Sequence, residues 1–209
     1  GVAPDSAELL QLAAALGARC AGVLSHSGHS YAGRSLDAMA EIAEAERQGI
    51  LRAVAQLRAA GFAARIVSAG ASPTALHAAT LDGITEMRAG VYMLGDLFQA
   101  GIGTHGLDDI AVTVLASVTG RYPARGTVLV DAGALALSKD RSTEAGPRDW
   151  KFGRVLDLRG APLAGGAVVA RVHQEHGEIR ATDGALPFDA LSVGARLRIV
   201  PNHACLTAA

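Results

Sequence analysis

The stretch Val67-Ser-Ala-Gly-Ala-Ser-Pro-Thr74 decides the fold class. A strand-like apolar run over residues 64–69 ends at Gly70, and Pro73 stands in the first turn of a short helix predicted around Leu76. Glycine tolerates a tight turn after a strand, and the fixed φ of proline suits the first turn of a helix. The stretch therefore predicts one strand–turn–helix unit.

Strand-like and helix-like segments alternate on both sides of this unit. Residues 20–24 form a short apolar run that predicts a buried strand. A long helix is predicted over residues 36–60, with Gly61 at its end and a kink or break expected at Gly49. Another strand is predicted near residues 84–87. Repeated βα units of this kind predict a parallel sheet.

The N-terminal residues predict a further helix. Asp5 and Glu8 have the spacing of a capping box, with Asp5 as the expected N-cap. An apolar run follows over residues 9–16 and ends at Gly17, a residue that commonly ends helices.

The second half of the chain is typical of antiparallel β structure. Its apolar runs are separated by Gly, Pro and Asp turns, with little helical periodicity between them. We expect strands over residues 110–118, 127–137, 153–158, 167–172 and 196–200.

These patterns predict an α/β protein with two parts. Residues 1–105 are assigned to the C-terminal part of a (β/α)8 barrel, and residues 106–209 to an antiparallel β domain. Three βα units cannot close a barrel, which needs about 200–250 residues. The chain also begins with Gly1 rather than Met and stops at Ala209, soon after Cys205. We therefore expect a segment truncated at both ends.

Composition excludes several function classes. The 19 basic and 20 acidic side chains nearly balance, so no basic face for nucleic acid is expected. No apolar run approaches the roughly 18–20 residues of a membrane span, and the N-terminus lacks the regions of a signal peptide. Cys20 and Cys205 give no disulfide framework. These features favour a cytoplasmic protein without nucleic-acid or membrane partners.

His203 and Cys205 form a candidate metal site. They stand two residues apart, so on an extended strand both side chains would lie on one face and could bind one ion. Imidazole and thiolate together suit zinc, and two protein ligands leave room for water or substrate. The alternative is an ordinary strand end with a buried cysteine, which the spacing alone favours.

Glu175 and His176 are a second candidate pair. They are predicted to lie at the end of a strand, just before a turn at Gly177. They could complete the metal shell or act as acid and base, because histidine titrates near neutrality. A solvated hairpin tip is the alternative, and it is favoured without further support.

Two glycine turns are candidates for phosphate binding. Gly70 and Ser72 lie where a strand passes into a helix, and Gly90 and Tyr92 follow the next predicted strand. Backbone N–H groups and hydroxyls at such turns can bind phosphate, although many equivalent turns bind nothing. The two turns would converge at the C-terminal face of a barrel, where such enzymes keep phosphate sites.

A polar loop follows the first predicted strand. Ser25-His-Ser-Gly-His-Ser-Tyr31 places two histidines and a tyrosine where barrel loops hold active sites. The alternative is that the histidines are ordinary surface residues.

Taken in order, these segments resemble the D-serine dehydratase/D-threonine aldolase family, which is related to alanine racemase. The matching motifs span nearly the whole chain: His26-Ser-Gly-His-Ser-Tyr31, Ser68-Ala-Gly-Ala-Ser-Pro-Thr74, Glu86-Met-Arg-Ala-Gly-Val-Tyr92, Val130-Asp-Ala-Gly-Ala134, Ser138-Lys-Asp140, Gln174-Glu-His-Gly177 and Pro201-Asn-His-Ala-Cys205. Their ordered occurrence is more specific than any single motif, and it favours the metal-site interpretation of His203 and Cys205.

The resemblance implies a fold, a cofactor and site residues. It implies a barrel of the alanine-racemase type that binds pyridoxal phosphate, followed by a β domain, in a homodimer. His203 and Cys205 would bind zinc, or manganese or another divalent metal, beside the substrate. His29, Glu175 and His176 would be catalytic. The cofactor would be bound by Tyr31, Gly70, Ser72, Gly90, Val91 and Tyr92.

The resemblance also implies an activity, a lyase acting on small D-3-hydroxy amino acids. We favour a D-serine dehydratase-like ammonia-lyase, with D-threonine aldolase as the alternative; a racemase or a non-catalytic module that binds pyridoxal phosphate remains open. The family attaches its cofactor through a lysine early in the barrel. Only Lys139 and Lys151 occur here, both in the β half, so we expect that lysine upstream of Gly1.

Overall fold

The chain folds as two compact units, Gly1–Tyr92 and Met93–Ala209. The structure is a computed structural model that describes residues 1–33 and 35–208. Among these residues, every helix is too short or too polar to span a bilayer. The expected boundary after residue 105 stays a prediction, although the two units divide earlier, after Tyr92.

The first unit is a three-stranded parallel sheet with helices packed on it. Its elements are α1 (Ala7–Leu16), β1 (Gly22–Leu24), α2 (Leu36–Ala59), β2 (Ile66–Ala69), α3 (Ser72–His77) and β3 (Glu86–Met87). The strand order is β1-β2-β3, with Val23 opposite Val67 and Ser68 opposite Glu86. The predicted parallel α/β arrangement is confirmed.

Helix α2 forms because apolar side chains recur at helical spacing along one face. Ser35 caps its N-terminus, where the Oγ accepts a hydrogen bond from the Ala38 N–H at 3.1 Å. Met39, Val54 and Leu57 are buried along the helix. The helix is continuous through Gly49, so the break that was one of the two expectations there is wrong.

The cap of α1 also differs from the prediction. Ser6, not Asp5, is the N-cap, and no side chain accepts a hydrogen bond there. The Asp5 carboxylate instead lies 3.4 Å from the Arg52 guanidinium. The capping-box interpretation of Asp5 and Glu8 is therefore wrong, because a contact with a distant helix replaces the local one.

The second unit is a closed antiparallel barrel of six strands. Its elements are α4 (Leu97–Gly101), β4 (Val114–Tyr122), β5 (Thr127–Val130), α5 (Ala134–Leu137), β6 (Gly153–Leu156), β7 (Val168–Val172), β8 (Gly177–Arg180), β9 (Arg196–Pro201) and α6 (Ala204–Thr207). The strand order around the barrel is β4-β5-β8-β7-β6-β9. The expected antiparallel β domain is confirmed, and closure of the barrel leaves it without an open sheet edge.

The barrel interior is filled by branched aliphatic side chains that point inward at alternate strand positions. The largest of the fully buried ones are Val118, Val128, Val130, Val155, Ile179, Leu197 and Ile199. A core of this kind compensates for the scarcity of aromatic residues, which make up 4% of the chain.

Two predicted strands end earlier than expected. The run over residues 127–137 splits into β5 and the short helix α5, because two hairpin carbonyls bind the N–H groups that begin that helix: Ala134 N–H donates to His173 O and Leu135 N–H donates to Gln174 O. Strand β6 ends at Leu156, because Asp157 accepts hydrogen bonds from the N–H groups of Arg159 and Ala161 and forms a turn.

The turn expected at Gly177 is wrong, because this residue begins strand β8. Gly177 is paired with Val130 on one side and Val172 on the other. A Cβ at this position would lie 2.5 Å from the carbonyl oxygen of Ala132. Glycine is therefore needed for close packing inside the barrel rather than for a turn.

Candidate functional site

The first unit brings several predicted site segments to one edge of its sheet. Ser25 and His26 follow β1, Gly70 follows β2 and Arg88 follows β3. The His26 Nδ1 lies 2.8 Å from the Gly70 carbonyl oxygen, and the Arg88 Nη2 donates to the Ser25 carbonyl oxygen at 2.5 Å. The carboxyl ends of all three strands are therefore linked by side-chain hydrogen bonds.

Glu46 on α2, which no sequence motif indicated, holds the same edge together. Its Oε1 accepts from the Ser25 hydroxyl at 2.8 Å and from the Gly70 N–H at 3.2 Å. Its Oε2 accepts from the Thr74 hydroxyl at 3.0 Å. One carboxylate thus joins the end of β1, the glycine turn and α3. Its position on the helix surface gave no signal of this role.

Gly70 is required by packing between strands. Its φ is +140°, and a Cβ would lie 2.6 Å from the Arg88 carbonyl oxygen. Gly90 differs, because a Cβ there would meet nothing within 4 Å. The space beside Gly90 is therefore open to a ligand, whereas the space beside Gly70 is filled by the neighbouring chain segment.

Two buried hydroxyls in this unit lack hydrogen-bond partners among the described residues. They are the Oγ atoms of Ser72, in the first turn of α3, and of Ser30, in the turn Gly28–Ala32. A buried hydroxyl without a partner costs about 1–3 kcal/mol, which a bound acceptor would recover. Ser72 and the open space at Gly90 are features that fit an oxyanion such as phosphate.

The aromatic and histidine candidates differ in exposure. His29 is exposed on the turn that follows β1, and Tyr31 is half-buried with its ring 6.4 Å from that of His26. Val91 is buried, whereas the side chain of Tyr92 is 57% exposed. The exposed groups are accessible to a ligand, and Val91 can offer a ligand only its backbone.

In the second unit, Asp96 fixes the segment that carries His203 and Cys205. Asp96 is fully buried, and its Oδ1 accepts from the Gln99 N–H while its Oδ2 accepts from the Ala204 N–H, both at 2.8 Å. Burial raises the pKa of Asp96, although these two backbone hydrogen bonds oppose the rise. The Asp96 carboxylate therefore accepts hydrogen bonds from N–H groups in the first turns of both α4 and α6.

Asn202 anchors the same segment from its other side. Its side-chain amide donates to the Thr143 Oγ1 at 3.1 Å and to the Lys151 carbonyl oxygen, and its Oδ1 accepts from the Thr143 N–H at 3.3 Å. The Thr143 hydroxyl also accepts from the Trp150 N–H at 3.1 Å. Asn202 is fully buried, so this network holds the backbone next to His203 rigidly.

The His203 ring is oriented by a carboxylate. Its Nδ1 lies 2.5 Å from the Asp140 Oδ2, and the Asp140 Oδ1 accepts from the Ser142 N–H at 2.7 Å and from the Ser142 hydroxyl. Burial raises the pKa of Asp140, but the hydrogen bonds from Ser142 and His203 outweigh it, so the pKa lies below its usual value. A histidine that donates one ring nitrogen to a carboxylate presents the other as a ligand.

Cys205 is exposed at the start of α6. Its thiol is nevertheless partly desolvated, which raises the pKa of Cys205, and the negative charges of Asp96 and Asp140 raise it further. A cation bound to the sulfur would reverse this shift, because metal ligation stabilises the thiolate.

The predicted strand geometry of the metal pair is wrong. Strand β9 ends at Pro201, His203 is the N-cap of α6 and Cys205 lies inside that helix. His203 and Cys205 are therefore not alternate residues of a strand, because the chain becomes helical at Ala204, whose N–H is bound by Asp96. Among the described residues, no group of three or more His, Cys, Asp or Glu side chains could hold a metal ion.

Glu175 and His176 lie in the turn between β7 and β8, and both are exposed. The turn is packed at its backbone, because a Cβ on Gly133 would lie 2.5 Å from the His176 nitrogen. It is therefore a hairpin tip, as in the alternative interpretation, but one fixed against the start of α5. Both side chains remain accessible.

In comparisons with known proteins, each half of the chain matches a protein family. Residues 111–209 match the family described as “Putative serine dehydratase domain”, and residues 1–97 match “Alanine racemase, N-terminal domain”. The chain belongs to the D-serine dehydratase/D-threonine aldolase family. The expected resemblance is thereby confirmed.

Several known proteins are similar over most of the chain. D-threo-3-hydroxyaspartate dehydratase from Delftia sp. is 45% identical over 92% of this chain and 51% of its own length. D-serine dehydratase from Dictyostelium discoideum is 34% identical over 90% of this chain and 48% of its length. An alanine racemase-like protein from Idiomarina loihiensis superposes with a TM-score of 0.92 at 36% identity, over 100% of this chain and 55% of that structure.

The aldolase branch of the family is less similar. The D-threonine aldolase structure from Filomicrobium marinum has a TM-score of 0.68 at 25% identity, over 90% of this chain and 47% of that structure. The chain spans about half the length of the curated dehydratases it matches.

The two lysines of the chain lie in the second unit. Lys151 forms an ion pair with Asp149 at 2.7 Å, and Lys139 is exposed.

Proposed function

We propose that the full-length protein is a lyase that depends on pyridoxal phosphate and a metal and dehydrates small D-3-hydroxy amino acids. The observation that carries this proposal is the contact of 2.5 Å between His203 and Asp140, beside Cys205 in the second unit. The similarity to two dehydratases supports it. The aldolase similarity is weaker, so we place dehydration first.

The proposed metal site consists of His203 and Cys205. Asp140 holds the imidazole so that Nε2 is the free ligand atom, and the thiolate of Cys205 is the second ligand. Solved structures of D-threo-3-hydroxyaspartate dehydratase include a His-to-Ala variant and a Cys-to-Ala variant, the latter in the metal-free form, whose substituted positions are two residues apart. His203 and Cys205 have the same spacing. A nitrogen and sulfur pair favours zinc over manganese.

The proposed cofactor site lies in the first unit. Ser72 and the backbone at Gly90 and Val91 would bind the phosphate, with Tyr92 and the turn at Gly70 beside them, and Tyr31 would contact the cofactor ring. When bound, pyridoxal phosphate supplies an electron sink that acidifies the substrate Cα–H. The attaching lysine is proposed to belong to a part of the protein outside these 209 residues.

His29, Glu175 and His176 are proposed to transfer protons. All three are exposed, and imidazole and carboxyl side chains are the usual general acids and bases of enzymes. Asp140 is proposed as a positioning residue, because it contacts His203, one of the two proposed metal ligands. We further propose a homodimer in the cytoplasm, in keeping with the family expectation.

The experiment that tests the function is a product assay on the full-length protein. D-serine should yield pyruvate and ammonia, and D-threo-3-hydroxyaspartate should yield oxaloacetate and ammonia. D-threonine should not be cleaved to glycine and acetaldehyde. Release of acetaldehyde as the dominant product would assign the aldolase reaction instead, and interconversion of D- and L-serine alone would assign a racemase.

The two cysteines provide a matched test of the metal site. Cys205→Ala should abolish stoichiometric zinc binding, measured by elemental analysis after dialysis, whereas Cys20→Ala should leave it unchanged. His203→Ala should behave like Cys205→Ala. Equal zinc content in all three variants and the wild type would show that the metal is bound elsewhere.

A further inference from the structure

A pocket of about 430 Å³ lies on the outside of the barrel in the second unit, and none of its lining residues is assigned to catalysis, to the metal or to the cofactor. Arg154 on β6 and Arg198 on β9 line it, together with Arg159 and Asp108 from the adjoining turns. We call it the arginine pocket. Its floor is apolar and is formed by Leu97, Leu156 and Val200.

The arginine pocket carries excess positive charge. Three guanidinium groups face one carboxylate, which leaves two positive charges in excess. None of the three arginines forms an ion pair with a carboxylate in the described part of the chain. Like charges gathered on a concave surface repel each other unless an anion binds between them.

Arg154 is held in a fixed position. Its guanidinium lies 5.2 Å from the centre of the buried Trp150 ring, and the guanidinium of Arg148 lies 3.9 Å from the same ring. Burial lowers the pKa of Arg154, and the charge of Arg148 lowers it further. A cation kept in a partly buried place beside another cation is stabilised by a neighbouring anion.

Arg198 is also preorganised. Its Nε donates to the Leu158 carbonyl oxygen at 3.0 Å and its Nη1 donates to the Thr113 hydroxyl at 3.3 Å. Arg159 differs, because its guanidinium makes no hydrogen bond to a described residue. The pocket therefore combines two positioned cations with one that is free to close on a ligand.

We propose that the arginine pocket binds a small organic dianion. Two excess positive charges match two negative charges, and a guanidinium pairs well with a carboxylate or a phosphate. The volume is in the range of small-molecule sites and exceeds what an inorganic ion fills. The apolar floor favours a ligand with a carbon skeleton. A dicarboxylate and a phosphate monoester share this chemistry.

Isothermal titration calorimetry on the full-length protein loaded with pyridoxal phosphate tests the proposal. The probes are succinate, phenyl phosphate and inorganic phosphate, at constant ionic strength. At least one organic dianion should bind saturably, and more tightly than inorganic phosphate. Succinate binding alone identifies a dicarboxylate site, and phenyl phosphate binding alone identifies a phosphate monoester site.

Two variants separate site binding from general charge effects. Arg159→Gln removes a guanidinium from the pocket and should weaken binding by about tenfold or more, since charge-assisted hydrogen bonds are strong. Arg171→Gln removes an exposed arginine of β7 that does not line the pocket, and it should leave binding unchanged. Equal effects of both substitutions, no saturable binding, or equal affinity for inorganic phosphate would overturn the proposal.

Discussion

Replacing Asp96 by alanine tests how the segment of His203 and Cys205 is held. The Asp96 carboxylate is fully buried and accepts hydrogen bonds from the N–H groups of Gln99 and Ala204, both at 2.8 Å. Alanine leaves both N–H groups buried without an acceptor. It therefore removes the start of α4 and the start of α6 in one step.

The expected cost follows from these contacts. Each buried N–H group left without a partner costs about 1–3 kcal/mol, and loss of an N-cap typically costs about 1 kcal/mol. Part of this is recovered, because Asp96→Ala also removes a carboxylate whose burial is unfavourable, as its raised pKa shows. The free energy of unfolding should therefore fall by about 2–4 kcal/mol. Asp96→Asn keeps one acceptor oxygen and should lose about half of that.

Urea unfolding measures this difference. Trp150 is the only tryptophan in the 209-residue chain and is buried in the second unit, so its fluorescence reports on that unit. With a urea dependence of about 2 kcal/mol per M, the midpoint should fall by about 1–2 M. Asp109→Ala is the matched control, since Asp109 accepts the Gly106 N–H at 2.8 Å but is exposed. It should cost no more than about 1 kcal/mol.

The pH dependence provides a second test of Asp96. The pKa of this carboxyl group is higher in the folded state than its ordinary value of 3.8, so the folded state binds the proton more tightly. Its contribution to stability is therefore present below pH 3.8 and is lost as the pH rises through the raised pKa. Asp96→Asn should remove this trend. If Asp96→Ala costs no more than Asp109→Ala, the argument from burial is refuted.

Three further results are expected. Gly70→Ala should destabilise the first unit by about 2 kcal/mol or more in thermal unfolding, because the φ of Gly70 is +140° and a Cβ would meet Arg88. Gly90→Ala should change stability by less than about 0.5 kcal/mol and should weaken binding of pyridoxal phosphate. Glu46→Gln should cost about 1–2 kcal/mol in urea unfolding and raise the dissociation constant for pyridoxal phosphate, because it weakens three contacts of the glycine turn. Burial raises the pKa of Asp149, but its hydrogen bonds with Lys151 and the charge of Arg141 lower it below 3.8. Its contribution to stability, about 1 kcal/mol, is therefore present above pH 3.8 and is lost as the pH falls through the lowered pKa. The free energy of unfolding of Asp149→Asn should match that of the wild type only in acid.

Long periodic elements could be predicted from the sequence. Helix α2 was expected over residues 36–60 and runs over Leu36–Ala59, because one apolar face extends along its whole length. Strand β2 and helix α3 were expected from Gly70 and Pro73, and both form. In these elements local propensity and burial favour the same structure, so the pattern of apolar residues is sufficient to predict them.

Short elements could not be predicted, because distant residues determine them. Helix α6 has four residues and begins where the Asp96 carboxylate binds the Ala204 N–H, although 108 positions separate the two residues. Helix α5 depends in the same way on carbonyls of the β7–β8 turn. Helices of this length are not stable from propensity alone. A sequence pattern therefore gives them no detectable signal.

The candidate site shows the same division. His203 and Cys205 were identified from residue type and spacing, whereas Asp140, which orients His203, lies 63 positions away and could not be inferred from spacing. Glu46 lies 24 positions from Gly70 and was missed for the same reason. Local motifs thus identify groups that could contact a ligand, but not the residues that hold those groups in place.

Both units solve the positioning problem with a single carboxylate that accepts several hydrogen bonds. Glu46 joins three segments of the first unit, and Asp96 joins two helix starts of the second. A carboxylate has lone pairs for about four donors, so one side chain can accept hydrogen bonds from several loops at once. Removing either carboxylate should consequently impair ligand binding without removing a ligand-binding group. Variants of Glu46 and Asp96 that bind less pyridoxal phosphate or zinc must therefore be compared by stability as well as by activity, because a loss of folded protein also lowers the amount of ligand bound.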